Sequence, residues 1–255
     1  MNCEKIRFNN IEQEPPAPDT LKEQIDLPRE QWSDEFRQLV EEKTEENQKE
    51  QAGQFKEYSE DDMPDLTFKR YTRGLGLDEN DLRDKRILDL GSGEGYFVKL
   101  LIQRGITSEA YGIDIEPDED KIEKGFKSYL IRGDFEKGLP IKEADYIISI
   151  GAVSNGVWAG EEVMDIRSIV KNSLVSLKKD GEIRIYPIQE TAKATPLEGL
   201  EMSQKKWKEL LTEISETQNV ECKIEPRNIQ VTGKNNDIIL ESVLVIRRKE
   251  KKSDP

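Results

Sequence analysis

The sequence predicts an α/β fold, and three features of the chain support that prediction. Residues 86–97 combine a short apolar run, a glycine-rich turn and the start of a helical pattern. After residue 85, apolar runs of strand length alternate with segments whose apolar residues recur at helical spacing. The length of 255 residues is sufficient for one large domain with an extension. Strands that alternate with helices indicate βαβ units and a mostly parallel sheet.

The first strand and its glycine turn are predicted to bind a ligand that carries both an ammonium group and a carboxylate. Gly91, Gly93 and Gly95 allow a backbone with positive φ and close approach of a ligand. The unpaired amides at the start of the next helix favour a carboxylate or phosphate. Asp89 precedes the turn, where its carboxylate suits an ammonium group better than a pyrophosphate. A dinucleotide-binding fingerprint would need its third glycine at the position of Tyr96.

The other elements are predicted from the apolar patterns that follow in order. Helical spacing after Glu161 and Glu162 places these two residues in the first turn of a helix. A turn is expected at residues 178–181 and a loop at residues 187–199. The predicted helices are residues 96–105, 118–127, 163–177 and 200–214. The predicted strands after the first are residues 109–115, 129–135, 144–150, 182–186, 221–225 and 238–247.

The segment before residue 61 is predicted to be an extension of the main domain. Residues 1–29 contain four prolines among polar residues, which is typical of an irregular leader. Residues 30–59 show helical spacing at Trp32, Phe36 and Leu39 and then a highly charged stretch, so we expect one or two helices. The predicted organisation is an N-terminal extension over residues 1–60, a main domain over residues 61–248 and a disordered tail over residues 249–255.

The composition excludes several classes of function. The net charge of −14 argues against nonspecific binding of nucleic acid, which depends on Lys and Arg. The absence of histidine removes Ser–His and Cys–His nucleophilic pairs and histidine metal ligands. The two cysteines have no zinc-site spacing, so no metal site is predicted. No stretch approaches the ~20 apolar residues of a membrane span, and we expect a cytoplasmic protein.

The turn sequence resembles a known family signature. The run Asp89-Leu90-Gly91-Ser92-Gly93-Glu94-Gly95 is similar to the acidic-x-Gly-x-Gly-x-Gly signature of class I S-adenosylmethionine-dependent methyltransferases. The resemblance covers about residues 61–248 and implies S-adenosylmethionine as the methyl donor. It also implies a three-layer Rossmann-like sandwich, whose seven-stranded sheet has six parallel strands and an antiparallel seventh. In this family, a segment before the first strand often forms a lid, which is an alternative to a solvated arm for residues 30–59.

The resemblance implies cofactor contacts at successive strand ends. Asp89 and the turn residues Gly91, Ser92, Gly93 and Gly95 would bind the amino-acid end of the cofactor.

Two further acidic residues would bind the nucleoside. Asp114, at the end of the second strand, can bind a ribose diol, although this role would serve NAD as well and a helix N-cap is the alternative. Asp134 would accept a hydrogen bond from the adenine amino group, and Phe135 would pack on the ring or offer its backbone amide. Two apolar residues at strand ends are also expected to contact the cofactor, Ile115 and Ile150.

The methyl acceptor is expected beyond the end of the fourth strand, because ligands of open α/β sheets bind outside that edge. Tyr71, Asn155 and Trp158 are possible acceptor contacts. The loop at residues 151–155 lacks the Asn/Asp-Pro-Pro-aromatic signature of enzymes that methylate exocyclic nitrogens of DNA. This departure argues against methylation of DNA amino groups, and the net charge of −14 favours a small molecule or a protein over nucleic acid as the acceptor.

The resemblance implies direct displacement at a sulfonium methyl group, which requires alignment and exclusion of water but no metal or covalent intermediate. A general base is needed only if the acceptor starts protonated, and the sequence identifies no catalytic residue. Two alternatives remain at this point. One is a noncatalytic protein that binds S-adenosylmethionine and regulates or partners another, and the other is an NAD(P)-dependent oxidoreductase.

Overall fold

Helices and strands alternate along most of the chain in the computed structural model, which describes residues 18–52, 63–118, 120–191 and 197–249. The α-helices are α1 (Pro18–Ile25), α2 (Asp34–Gln51), α3 (Met63–Leu75), α4 (Glu79–Leu82), α5 (Tyr96–Gln103), α6 (Ile166–Ser176) and α7 (Glu198–Thr217). The strands are β1 (Ile87–Leu90), β2 (Ala110–Asp114), β3 (Leu130–Arg132), β4 (Ala144–Ile150), β5 (Val157–Trp158), β6 (Glu161–Glu162), β7 (Leu177–Thr191), β8 (Val220–Thr232) and β9 (Asp237–Arg248). No helix of these four segments combines the length and apolar character that a membrane span requires.

Seven of the strands form one sheet in the order β3-β2-β1-β4-β7-β9-β8. The neighbours from β3 to β7 pair in parallel, whereas β9 runs antiparallel to both β7 and β8. Six strands therefore share one direction and the last strand of the chain opposes them. This topology confirms the predicted Rossmann-like fold and its antiparallel seventh strand.

The two faces of the sheet are covered by different helices. Leu88 and Leu90 of β1 belong to the apolar cluster beneath α6 and α7. Ile87 belongs to the cluster beneath α3 and α5. Because side chains alternate along a strand, Asp89 shares the face of Ile87. The carboxylate of β1 thus lies on the side of α3 and α5, where Tyr71 meets it.

The strands β7 and β8 are longer than the predicted strands, and this difference shapes the molecule. The structure replaces the turn at residues 178–181 and the start of the loop after residue 186 by continuous strand. Ile150, the last residue of β4, pairs with Tyr186, so the end of β7 continues past β4. We call this outer part of the sheet the sheet extension, which comprises residues 188–191 of β7, 228–232 of β8 and 237–242 of β9. The polar residues of β7 do not indicate a strand in the sequence, because the hydrogen-bonding partner of this part of β7 is β9, which is distant in sequence.

Two shorter predictions are also wrong. Residues 118–127 were predicted to be helical, but the structure has a short 3₁₀ helix at Lys124–Tyr129, with Gly125 near its start, where glycine disfavours a regular helix. Glu161 and Glu162 form β6, which pairs with β5 instead of opening a helix. Glu162 there makes ion pairs with side chains of α6 and α7, which explain its position better than a helix dipole does.

The helices α1 and α2 pack on the sheet extension. Leu21 and Ile25, four residues apart, share one face of α1, which lies in a segment predicted to be irregular because of its prolines. Residues 1–17, 53–62 and 250–255 lie outside the described part of the chain, including most of the predicted tail. The cluster joins the helices to the strands through Leu21, Ile25, Phe36, Leu39, Ile229, Val231, Ile238 and Leu240.

The polar end of α2 is attached to the turn between β8 and β9. Asn47 donates hydrogen bonds from Nδ2 to the carbonyl of Gly233 and to Oδ1 of Asn236, both at 2.9 Å. We expect Asn47→Ala to lower the free energy of unfolding by about 1–2 kcal/mol, measured by urea denaturation, because both hydrogen bonds are lost. Glu41→Ala, at an exposed position of the same helix, is the control and should change stability by less than about 0.5 kcal/mol. Equal effects of the two substitutions would contradict this attachment.

Candidate functional site

The predicted cofactor-binding residues lie at or just after the carboxyl ends of β1, β2, β3 and β4. The strand order reverses between β1 and β4, which is where ligands bind in open α/β sheets. The amide of Gly91 donates to the carbonyl of Ile113 at 2.8 Å, so the turn after β1 is fixed to β2. Ser149 donates from Oγ to the carbonyl of Leu90 and accepts from the amide of Val153, at 2.9 and 3.1 Å. This serine, which the sequence analysis did not identify, fixes the loop after β4 to β1.

Asp89 has one carboxylate oxygen with a partner and one without. Oδ2 accepts a hydrogen bond of 3.1 Å from the hydroxyl of Tyr71 in α3. Oδ1 is buried and has no hydrogen-bond partner within the described residues. The ring of Tyr71 stacks on Phe97 of α5 at a centroid distance of 4.0 Å, which holds the hydroxyl in place. Burying a carboxylate oxygen without a hydrogen-bond donor costs free energy. This oxygen therefore indicates a position where a ligand can place a donor group.

Burial controls the protonation of both groups. Desolvation raises the pKa of Asp89 to about 7, although the hydrogen bond from Tyr71 favours the carboxylate and partly opposes this change. The nearby charge of Asp114 raises the pKa further. Burial also raises the pKa of Tyr71 well above its usual value, so its hydroxyl remains a donor. A cation placed at Oδ1 would stabilise the carboxylate and reverse the shift of Asp89.

The glycine turn brings bare backbone to the same place. Gly91 has a φ of +75°, and a Cβ there would lie 2.1 Å from the Cβ of Ala152 in the loop after β4. Only glycine permits the two loops to approach so closely. Ser92 has a buried hydroxyl without a hydrogen-bond partner among the described residues. The helix α5 begins directly after Gly95, so its first amides are available to an anion.

Asp114 lies at the end of β2, as predicted, and connects two loops. Its Oδ2 accepts from the amide of Gly93 at 2.9 Å, and its Oδ1 accepts from the amide of Glu116 at 3.0 Å. Each carboxylate oxygen has a second lone pair, so both can still accept a hydrogen bond from a ligand. Ile115 next to it is 60% exposed, which provides an apolar surface at this strand end.

Asp134 and Phe135 follow β3 and are held by local contacts. Asp134 accepts from the amide of Glu136 and makes an ion pair of 2.9 Å with Lys137, and these contacts lower its pKa. The ring of Phe135 is buried in the cluster beneath α6 and α7, and its carbonyl accepts from Asn172 at 3.1 Å. Of the two predicted interactions of Phe135, the backbone amide is therefore the one that suits a base at the surface.

One predicted cofactor contact, Ile150, and two predicted acceptor contacts, Asn155 and Trp158, lie at or after the end of β4, whereas the third predicted acceptor contact, Tyr71, lies in α3. Ile150 ends β4 and is buried beneath α3 and α5. Asn155 is exposed in a 3₁₀ helix at Val153–Gly156, and Trp158 is exposed in β5. Trp158 is 68% exposed, so it does not serve the packing role that is usual for tryptophan.

A cluster that the sequence analysis missed lies beside the loop after β4. The hydroxyl of Tyr186, in β7, donates to Oε2 of Glu241 in β9 at 2.6 Å, and Nδ2 of Asn228 in β8 donates to the same oxygen at 3.1 Å. The signal in the sequence was weak. It consists of one acidic residue that interrupts the apolar run at residues 238–246. The three residues meet only because β9 lies between β7 and β8.

The arrangement provides binding groups on a rigid edge. It places a buried carboxylate, free helix amides and an acidic strand end at one edge of the sheet. Within the described residues, no three Cys, Asp or Glu side chains are grouped so that they could hold a metal ion. This edge of the sheet is thus suited to a ligand with an ammonium, a carboxylate and hydroxyl groups.

Comparison with known proteins agrees with this chemistry. Residues 81–235 match the sequence model of a family described as a methyltransferase domain. A search of curated protein sequences gives no match.

Several solved structures share similarity with the chain. A TehB-like S-adenosylmethionine-dependent methyltransferase of Corynebacterium glutamicum is 18% identical, over 73% of this chain and 98% of that chain, with a TM-score of 0.40. A Methanococcus maripaludis protein described as an S-adenosyl-L-methionine-dependent methyltransferase is 14% identical, over 84% of this chain and 95% of that chain, with a TM-score of 0.43. The CMeT domain structure of the citrinin polyketide synthase is 16% identical, over 75% of this chain, with a TM-score of 0.43, and the chain covers 52% of it.

Proposed function

The chain belongs to the methyltransferase domain family whose model spans more than half of its length, and on this basis we propose that it transfers a methyl group from S-adenosylmethionine to a small molecule or a protein. The family match confirms the resemblance found in the glycine turn. S-adenosylmethionine, the cofactor predicted from the sequence, is the methyl donor of the class I family.

One observation supports this function most directly, namely the unpartnered Oδ1 of Asp89. The amino-acid end of S-adenosylmethionine carries an ammonium group, which would donate to Oδ1 and relieve its burial. The carboxylate of the same group would lie at the first amides of α5, with the buried hydroxyl of Ser92 as a further donor. The residues present therefore fit the cofactor.

The nucleoside would lie along the ends of β2 and β3. Asp114 would accept hydrogen bonds from the ribose hydroxyls through its remaining lone pairs. The exposed Ile115 would pack against the ribose or the base. Asp134 and the backbone amide of Phe135 would bind the edge of the adenine.

When bound, the cofactor supplies an activated sulfonium methyl group. The protein contributes mainly alignment and exclusion of water. Tyr71, which stacks on Phe97, holds Asp89 from the side of α3 and α5 and would thereby fix the amino-acid end of the cofactor. The contact of Gly91 with Ala152 fixes the loop after β4 relative to the glycine turn, so that an acceptor bound there faces the methyl group.

Two measurements test the proposal. Calorimetric titration with S-adenosylhomocysteine should give saturable binding, whereas NAD⁺ should give none, because Tyr96 occupies the position of the third dinucleotide glycine. Incubation with S-adenosylmethionine labelled in the methyl group and a cell extract of the source organism should transfer label to an acceptor. Binding without transfer would favour a regulatory protein, and binding of NAD⁺ alone would favour an oxidoreductase.

The affinity for S-adenosylhomocysteine should decrease at acidic pH. The pKa of Asp89 is raised to about 7 in the unliganded protein, so below that pH a proton must leave before the ammonium group can bind. The dissociation constant at pH 5.5 should be roughly 20- to 30-fold higher than at pH 7.5, since affinity decreases up to about tenfold per pH unit below the pKa. Calorimetry at the two pH values measures this change. An equal affinity at both values would show that Asp89 does not bind the ammonium group.

A further inference from the structure

Glu241 lies on the acceptor side of the site, beyond the end of β4. Ile150 at the end of β4 pairs with Tyr186, and Glu241 pairs with Gln189, three residues further along β7. Val243, two residues from Glu241 on the same strand, belongs to the cluster beneath α3 and α5. By alternation, Glu241 therefore lies on the same face of the sheet as Asp89.

The helix α3 connects this cluster to the cofactor position. Tyr71 and Gly74 lie one turn apart on α3, and Tyr71 donates to Asp89. A Cβ on Gly74 would lie 2.8 Å from the ring of Tyr186, so this ring packs directly under the helix. Tyr71 and Tyr186 thus belong to the same cluster beneath α3, and the first is bound to Asp89 and the second to Glu241.

The carboxylate of Glu241 has one free oxygen. Tyr186 and Asn228 both donate to Oε2, and Oε1 has no hydrogen-bond partner within the described residues. Glu241 is half-buried, and both of its donors are neutral groups. The pKa of Tyr186 is raised well above its usual value by burial and then by the charge of Glu241, so its hydroxyl holds the carboxylate as a constant donor. The charge of Arg70 in α3 also acts on Tyr186 and opposes this rise of its pKa.

We propose that Glu241 is the general base of the reaction and accepts the acceptor proton at Oε1, an inference that rests on the proposed methyltransferase function. The acceptor carries an N–H or O–H group that donates to Oε1. Its lone pair forms the new bond to the methyl carbon, the carbon–sulfur bond breaks, and the electron pair remains on sulfur as a thioether. The proton passes to Glu241 and then to solvent. Acceptors without an exchangeable proton, such as tertiary amines, would not need this residue.

The test compares three variants in the labelled-methyl assay, with the extract separated into a small-molecule and a protein fraction. Glu241→Gln should lower the initial rate by about 10²-fold or more, as expected when a general base is lost. Glu241→Asp, which keeps a carboxylate, should retain more activity than the glutamine variant. Glu190→Gln is the matched control, because Glu190 is buried in the same sheet extension and makes an ion pair with Lys22 of α1. It should keep the rate within about threefold, a change of less than 1 kcal/mol.

Two further readouts separate proton transfer from a structural role. The affinity of Glu241→Gln for S-adenosylhomocysteine should equal that of the unmodified protein. The pH dependence of the rate that the unmodified protein shows at saturating cofactor should disappear in Glu241→Gln. A lower rate with an unchanged pH profile would show that Glu241 acts only structurally and would overturn the proposal.

The remaining outcomes distinguish this inference from the proposed function. If Glu241→Gln transfers label as fast as the unmodified protein, the general base is overturned while the methyltransferase function stands. If the unmodified protein binds S-adenosylhomocysteine but labels neither fraction, both are overturned and only the cofactor site remains. If it does not bind S-adenosylhomocysteine, the proposed function itself fails.

Discussion

Asp89→Asn should weaken the binding of S-adenosylhomocysteine by more than about 10²-fold, because removing one member of a buried charge pair typically costs about 3–5 kcal/mol. Asparagine has nearly the shape of aspartate and can still accept from Tyr71. It lacks the negative charge that the ammonium group requires at Oδ1. Isothermal titration calorimetry at pH 7.5, where most of the native carboxyl is ionised, measures the change.

The stability of the same variant provides the control. Burial raises the pKa of Asp89 above its value in the unfolded chain. In the unliganded protein this carboxyl group therefore stabilises the native state fully at pH values below its pKa in the unfolded chain. This contribution to the free energy of unfolding is lost as the pH rises through about 7. At pH 7.5 the neutral asparagine removes the cost of burying an ionised carboxylate at this position. The melting temperature of the variant should therefore stay equal or rise. Weak binding by a protein of unchanged or higher stability would therefore reflect the site. Unchanged affinity would contradict the assignment of the amino-acid end to Asp89.

Gly91→Ala should lower the free energy of unfolding by about 2–5 kcal/mol. A non-glycine residue with positive φ costs about 1–2 kcal/mol, and overpacking a tight contact adds about 1–3 kcal/mol. The new Cβ would lie 2.1 Å from the Cβ of Ala152, so the loop after β4 must move. Urea denaturation measures the effect. The affinity for S-adenosylhomocysteine should also decrease, since the two loops no longer hold their spacing.

Two other substitutions separate strain from overlap. Gly93 also has positive φ, but a Cβ there would meet nothing within 4 Å, so Gly93→Ala should cost only the strain of about 1–2 kcal/mol. Adding Ala152→Gly to Gly91→Ala should remove the steric overlap and regain the stability lost to it. A double-mutant cycle would report this gain as a favourable coupling energy. Equal effects at Gly91 and Gly93, with no coupling to Ala152, would exclude the loop contact as the reason for this glycine.

The cofactor side of the molecule could be predicted from the sequence because its information is local. Asp89 and the glycine turn occupy seven consecutive residues, and alternating strands and helices then place Asp114 and the end of β4 at the same edge. Tyr71, which the sequence predicts as a possible acceptor contact, donates a hydrogen bond to Asp89 in the structure. Their roles in binding remain predictions.

The other side of the molecule could not be predicted, because its contacts join distant segments. Gln189 and Thr191 are polar and resemble a loop until β9 pairs with them. Glu241 meets Tyr186 and Asn228 only through the antiparallel order of β7, β9 and β8. The short helix α1 follows closely spaced prolines, which predict an irregular segment. Its apolar face is buried only because it packs on the sheet extension.

The packing of α1 and α2 has a consequence for the synthesis of the protein. Leu21 and Leu39 share an apolar cluster with Val231 and Leu240, so segments near the two ends of the described chain are buried together. As the chain leaves the ribosome, α1 and α2 are made long before their partners in β8 and β9. Such distant contacts also slow folding, because a long loop must close before they form. The apolar faces of the nascent helices thus stay open to chaperones until β8 and β9 have been synthesised.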